Sequence, residues 1–257
     1  MIATLGLVFL AFPVFALLTR IPWGQFGEII LRPETLQASA LSLLTAGISA
    51  LICVALGTSI ALWIGGGTGF WPTLARIAVM VPLVMPPLIG GVALLAFFGQ
   101  QGILGPALAG AGLRIPFTTL AVIVAQTFVA LPFMVITVEA ALINSSQEYS
   151  RVAAGLGASR ATVLRRITLP LLRPAILAGA LLCFARALGE YGATALFAGS
   201  SPGSTRTITQ TIAAAFQGSA YEEELGYSLA GLLVLIALCV VAATGMWRGS
   251  SRSSEVM

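Results

Sequence analysis

Six apolar stretches, about 1–19, 38–64, 74–98, 117–143, 174–198 and 226–247, constrain this chain more than anything else in it. Each reaches about the 20 residues that an α-helix needs to cross the hydrocarbon layer of a bilayer. Lipid offers no water to unpaired backbone N–H and C=O groups, so each stretch must satisfy its own groups as a helix. The expected fold is all-α and integral to a membrane. It is one transmembrane domain over 1–257, with six helices and a long polar segment, 144–173, between the fourth and the fifth.

The charged residues are few and of two kinds. They make up 9% of the chain and apolar residues 58%, whereas a soluble domain carries about 25% charged residues. Every basic residue is Arg and every acid is Glu, with no Lys, Asp or His. A phosphate-binding P-loop needs its Lys, so ATP hydrolysis by that route is excluded. A Ser-His-Asp triad, an H-E-x-x-H zinc site and a Cys/His cluster all need His. No catalytic residue, cofactor site or metal site is therefore expected. Cys53, Cys183 and Cys239 lie singly in apolar runs, a spacing that fits helix packing and no disulfide or metal pattern. The net charge of +4 is small, and no nucleic-acid partner is expected.

Arginine placement gives the expected orientation. Arg151, Arg160, Arg165, Arg166 and Arg173 crowd the segment after the fourth stretch, and Arg76, Arg248 and Arg252 fall on the same side. Arg20, Arg32, Arg114 and Arg206 fall on the other, with Glu28, Glu34 and Glu222 to Glu224. The positive-inside rule makes the Arg-rich side, and both termini, cytoplasmic. Met1 to Leu18 lacks a basic leader and a small-residue cleavage site, which favours a retained first span over a signal peptide.

The third stretch contains Val81-Pro82-Leu83-Val84-Met85-Pro86-Pro87-Leu88-Ile89-Gly90-Gly91. Prolines remove ladder hydrogen bonds and bend or break a helix. Two readings stand: a tolerated kink, or an irregular stretch lining a pathway or gate, with Pro86, Pro87 and Gly90 as candidate residues.

The polar segment carries the most local information. A short helix is expected from about 147 to 156, stopped at Gly157, because glycine suits the left-handed position that ends a helix. Ser159 is positioned to cap a second helix. Val163, Leu164 and Ile167 recur at helical spacing, and Pro170 and Pro174 are expected to limit regular hydrogen bonding beyond them. The expected form is a cytoplasmic helix-turn-helix with Arg on its surface.

This segment resembles the coupling loop of ABC importer permeases, whose pattern is E-A-A, three residues, Gly, nine residues, then I-x-L-P. Here Gly157 precedes Ile167-Thr168-Leu169-Pro170 at that spacing. The E-A-A positions fall on Arg151, Val152 and Ala153, so Arg replaces the acid, and Glu148 lies one turn earlier. A second segment, Phe184 to Thr194, is similar to the A-R-A-x-G-E-[FY]-G stretch of permeases for the tetrahedral oxyanions molybdate, tungstate and sulfate. Phe197-Ala198-Gly199-Ser200-Ser201-Pro202-Gly203-Ser204-Thr205 is similar to F-A-G-N-x-P-G-x-T of the molybdate branch, with Ser200 in place of Asn. Arg20-Ile21-Pro22-Trp23, Pro86 to Leu94, Pro116 to Thr119 and Ala125 to Phe133 extend the likeness over nearly the whole chain.

The resemblance implies a type I ABC importer permease subunit of a prokaryotic cytoplasmic (inner) membrane, translocating molybdate. It implies a second copy of the chain, two ATP-binding subunits that bind ATP and Mg on the cytoplasmic side, and an extracytoplasmic oxyanion-binding protein, all amid membrane lipid. The ATPase-coupling residues would be Glu148, Arg151, Val152, Ala153, Ala154, Gly155, Leu156, Gly157, Ala158, Ser159, Arg160, Ile167, Leu169 and Pro170. Arg186 and Glu190, four residues apart on one helix face, can pair. A charge in a span faces the bundle or water. The pair would thus either border the anion route or gate, or orient helices at the subunit interface. The alternatives are a sulfate, thiosulfate or tungstate permease of the same architecture, and a channel or secondary anion transporter. The latter class usually shows internal repeats or coupling acids, and no clear repeat is present. The coupling-loop spacing argues against a membrane scaffold that transports nothing.

Overall fold

A computed structural model of the chain describes residues 1–144, 152–153, 155–218 and 220–252, with helices as the only regular elements among them. Five helices are long and apolar enough to cross a membrane, and one pair of shorter helices bent by 119° makes a sixth span if counted together. The chain divides into two compact units, Met1–Leu43 with Gly199–Met257, and Leu44–Ala198.

In the first unit, α1 (Ile2–Arg20) buries none of its residues within the chain. Its mean hydropathy suits lipid on every side. Ile21, just beyond it, is buried against Gly231 of α11 (Ala220–Arg252). A Cβ on Gly231 would lie 2.4 Å from Ile21 Cδ1, so a larger residue there would make the tip of this side chain shift. Between them the chain makes a short α2 (Phe26–Ile30) and enters α3 (Pro33–Gly66), which continues into the second unit. α10 (Ile208–Ala215) opens with a capping box, in which Thr207 N–H donates to Gln210 Oε1 at 3.0 Å. Ile208 N–H donates to Ser42 Oγ at 2.8 Å. These bonds satisfy donors that a helix start leaves without backbone partners.

After a short α6 (Gly105–Gly110), the second unit is built around α7 (Thr119–Asn144), the most enclosed of the candidate spans. It packs against α3, α4 (Phe70–Val84), α5 (Pro87–Phe98) and α8 (Arg160–Leu188). Met134 of α7 wedges between two glycines. Added Cβ atoms would sit 2.7 Å from its Cγ at Gly57 of α3 and 2.6 Å from its Sδ at Gly179 of α8. Small residues of this kind let membrane helices approach, since lipid supplies no hydrophobic drive for helix pairing. Polar bonds add to the fit: Ser49 Oγ donates to Gln126 Oε1 at 3.3 Å and Cys183 Sγ to the Ala130 carbonyl at 3.2 Å. Cys53 and Cys183 are buried packing residues, as expected, whereas Cys239 is exposed.

Two span boundaries differ from the sequence expectation. The third stretch, 74–98, is not one rod: α4 ends at Val84 and α5 begins at Pro87. Met85 and Pro86 each precede a proline and both are extended (ψ 131 and 133), because the following ring disfavours helical geometry there. The fifth stretch, 174–198, starts and ends too late. Helix α8 already begins at Arg160 and stops at Leu188, and 192–197 is a separate short helix, α9 (Gly192–Phe197). Pro170 and Pro174 do not end α8. A π-helical turn, Leu164–Thr168, lies just ahead of Pro170, with Leu169 N–H bonded to the Leu164 carbonyl. The wider turn relieves the clash a proline ring makes one turn back, and the helix continues.

Candidate coupling segment and broken-helix site

The expected coupling residues fall into two groups. Glu148, Arg151 and Ala154 lie outside the described residues. The rest form the turn that the sequence predicted. Val152, Ala153 and Gly155 are helical, Leu156 and Gly157 turn, and Gly157 has φ +85. The Ala158 N–H donates to the Ala153 carbonyl at 3.0 Å, a 6→1 bond that closes a Schellman C-cap. Ser159 is extended (ψ 154), and its Oγ accepts the Thr162 N–H at 3.2 Å, starting α8. One glycine ends a helix and one serine begins the next, two residues apart.

The turn brings distant motif residues together. Val152, Ala153 and Leu156 line a groove of about 900 Å³ with Arg166, Ile167, Pro170 and Leu171. Leu156 is 85% exposed and Val152 is exposed beside it, so the segment presents apolar side chains at its surface. Leu169 lies partly buried behind this groove and Arg160 is exposed at the helix start.

The second site joins two helix breaks. Gly192 opens α9 against the Pro87 that opens α5: a Cβ there would meet Pro87 Cβ at 2.9 Å and Leu88 N at 3.1 Å. One turn on, a Cβ on Gly91 would lie 2.8 Å from the Ala193 carbonyl and 2.9 Å from Leu196 Cβ. Gly90 faces Phe128 of α7 and Ala193. Below this contact a core of Leu94, Ala121, Val122, Ala125, Val129, Ala193 and Phe197 holds α5, α7 and α9 together.

Glu190 pins the second break. Its carboxylate, in a residue 1% exposed, receives Arg186 Nη1 at Oε2 (2.7 Å) and the Ala193 N–H at Oε1 (2.9 Å). One acid thus holds the last turn of α8 and the first turn of α9. Its negative charge also suits a helix N-terminus. The Arg186 side chain is 27% exposed. Pro86, Pro87, Gly90, Arg186 and Glu190, proposed separately from sequence, therefore belong to one assembly of breaks.

Sequence reasoning missed one functional-looking pair. Glu139 is buried within α7 and bonded to Arg76 of α4. Two opposite charges near adjoining ends of neighbouring apolar stretches were the available signal.

Comparison with known proteins now decides the family. The family described as binding-protein-dependent transport system inner membrane component matches residues 73–246. The chain belongs to that family. It is 42% identical over 243 residues to the molybdenum transport system permease protein ModB of Mycobacterium tuberculosis, covering 95% of this chain and 91% of the relative. A probable molybdenum ABC transporter permease protein of Haloferax volcanii is 34% identical over 200 residues, covering 77% and 72%. The sulfate transport system permease protein CysT of Salmonella typhimurium is 33% identical over 183 residues, covering 71% and 66%. In structure the chain is similar to a bacterial ABC transporter involved in alginate import, with TM-score 0.73, 20% identity, and coverage of 94% and 90%. The family membership makes this chain a multi-pass transport component of the inner membrane. The structural likeness fixes the type I ABC importer permease fold.

Proposed function

We propose that this permease translocates molybdate as one of two identical membrane subunits in an ATP-driven importer. The observation that carries the substrate is the relation to the Mycobacterium tuberculosis molybdenum permease, at 42% identity over 95% of the chain, against 33% over 71% for the Salmonella sulfate permease. The Phe197 to Thr205 segment supports the same branch. Two copies of a separate ATPase bind ATP and Mg, dock on the groove formed by Val152, Ala153, Leu156, Ile167 and Pro170, and draw further contacts from Glu148, Arg151 and Ala154. A binding protein delivers the oxyanion to the opposite face, and both termini are cytoplasmic. Closure of the ATPase pair displaces the coupling segments, and rigid-body motion of helices switches the cavity between its two openings. This chain supplies no catalytic group. The breaks at Pro86-Pro87 and at Gly189-Glu190 form the gate region, where weak contacts let an anion enter and leave.

The test is uptake by the reconstituted complex in vesicles. Molybdate is expected to enter with ATP hydrolysis and to be poorly displaced by sulfate. Sulfate uptake that molybdate does not inhibit would overturn the substrate, and uptake that persists with an inactive ATPase would overturn the importer.

A further inference from the structure

The ion pair between Arg76 of α4 and Glu139 of α7 lies away from both sites described above. Arg76 Nε donates to Glu139 Oε1 at 2.9 Å, and Nη2 donates to the same oxygen. The Glu139 side chain is 9% exposed and that of Arg76 42%. A carboxylate this enclosed needs its partner, since an unpaired buried charge is costly. The pair is a direct hydrogen-bonded link between α4 and α7. Packing contacts between helices permit small sliding. A charge-assisted pair is directional and resists it.

The position of the link matters more than its strength. Glu139 stands one turn from the end of α7 at Asn144, where the chain runs on toward the coupling segment. Arg76 sits in α4, which leads directly into the Met85-Pro86 break. Beyond that break, α5 is locked to α9 by the Gly91–Ala193 and Pro87–Gly192 contacts. We propose that the Arg76–Glu139 pair is the tie by which displacement of the coupling segment is transmitted to the broken span. Both are positioning residues: they touch neither nucleotide nor anion. This rests on the reading of residues 152–170 as the ATPase contact.

The experiment uses the full chain assembled with its ATPase and binding protein in proteoliposomes, with molybdate uptake and ATP hydrolysis measured on the same vesicles. The double variant Arg76→Met/Glu139→Leu removes both charges, so that no buried charge is left unpaired. Its uptake per ATP hydrolysed is expected to fall about tenfold, while ATPase co-purification stays at the wild-type level. The exchange variant Arg76→Glu/Glu139→Arg is expected to recover the ratio to within about threefold. A merely structural pair would lower yield or melting temperature and leave uptake per ATP unchanged in the complex that survives. That result, or an exchange variant no better than the apolar one, overturns the proposal. The wild-type complex separates the two layers of inference. If it takes up sulfate instead, the ratio is measured with sulfate and the tie is still tested. If the wild-type chain does not bind the ATPase, the docking reading fails.

Discussion

Gly91 and Gly157 both stand where glycine is favoured, for opposite reasons. At Gly91 the backbone is ordinary and space is absent: the Ala193 carbonyl would lie 2.8 Å from any Cβ. At Gly157 a Cβ would meet nothing within 4 Å, and the left-handed backbone (φ +85) is what favours glycine. The first is a tertiary constraint inside a packed contact between helix breaks. The second is a local constraint in an exposed turn. The family's fold thus keeps a tight site where helices interlock and a lightly held one where a partner is proposed to bind.

That contrast gives the ordering of mutational effects. Gly91→Val should be the most damaging, because the obstacle is backbone and cannot move aside. Overpacking of this kind costs about 1–3 kcal/mol, and a backbone clash belongs at or above the upper end. A marked fall in the apparent melting temperature of the solubilised protein is expected, and an unchanged value would remove the close contact between α5 and α9. Glu190→Gln comes next. The amide can still accept the Ala193 N–H but cannot pair with Arg186 as an ion. Breaking a buried pair costs about 3–5 kcal/mol, and the partial exposure of Arg186 brings this to about 1–3 kcal/mol. Melting is expected to fall less than for Gly91→Val. Arg186→Leu/Glu190→Gln, which leaves no lone charge and keeps the acceptor for the Ala193 N–H, should separate the ionic part from the cap.

Gly157→Val should behave differently in kind. A β-branched residue in the left-handed region costs about 1–2 kcal/mol locally, without a clash elsewhere. Global melting is expected to stay near wild type while ATPase co-purification falls. Gly155→Ala, two residues earlier, has open space around it and a helical backbone, and should bind normally. Equal binding by both variants would move the docking site off this turn.

These differences also explain what the sequence could reveal. Gly157, Ser159 and the Ile167 to Pro170 spacing were legible because their meaning is local, fixed within a few residues. The six apolar stretches were legible because lipid imposes a length. The Pro86-Pro87 break was visible as an interruption, but its 119° bend was not, since the angle depends on what the following helix packs against. The contact of Gly91 with Ala193 joins elements about a hundred residues apart, and no periodicity marks it. Pro170 misled in the other direction. A proline inside a helical pattern signals a stop, and a single π turn was enough to carry α8 past it. The pairing of Arg76 with Glu139 was hidden because each charge alone is consistent with a span end facing water.

Ser159→Ala is the smallest effect and the sharpest probe of the local side of the comparison. The Ser159 Oγ accepts one backbone N–H, from Thr162 at 3.2 Å, and also lies 2.8 Å from Thr162 Oγ1. Removing a cap of this type costs about 1 kcal/mol, and here the cap is exposed, so water can take the freed donor. The body of α8 is held by its packing on α7, so that loss should fray only the stretch from Arg160 to Val163. Hydrogen exchange should therefore quicken at Thr162 and Val163 and remain unchanged beyond Leu169, with the melting temperature intact. Binding of the ATPase should weaken by a few-fold, less than for Gly157→Val, because the turn keeps its Schellman closure while only the helix after it loosens. If exchange quickens along the whole of α8, the π turn and Pro170 do not insulate the membrane helix from the segment ahead of it. The two regions then form one cooperative unit, and the distinction between a tightly packed site and a lightly held one fails.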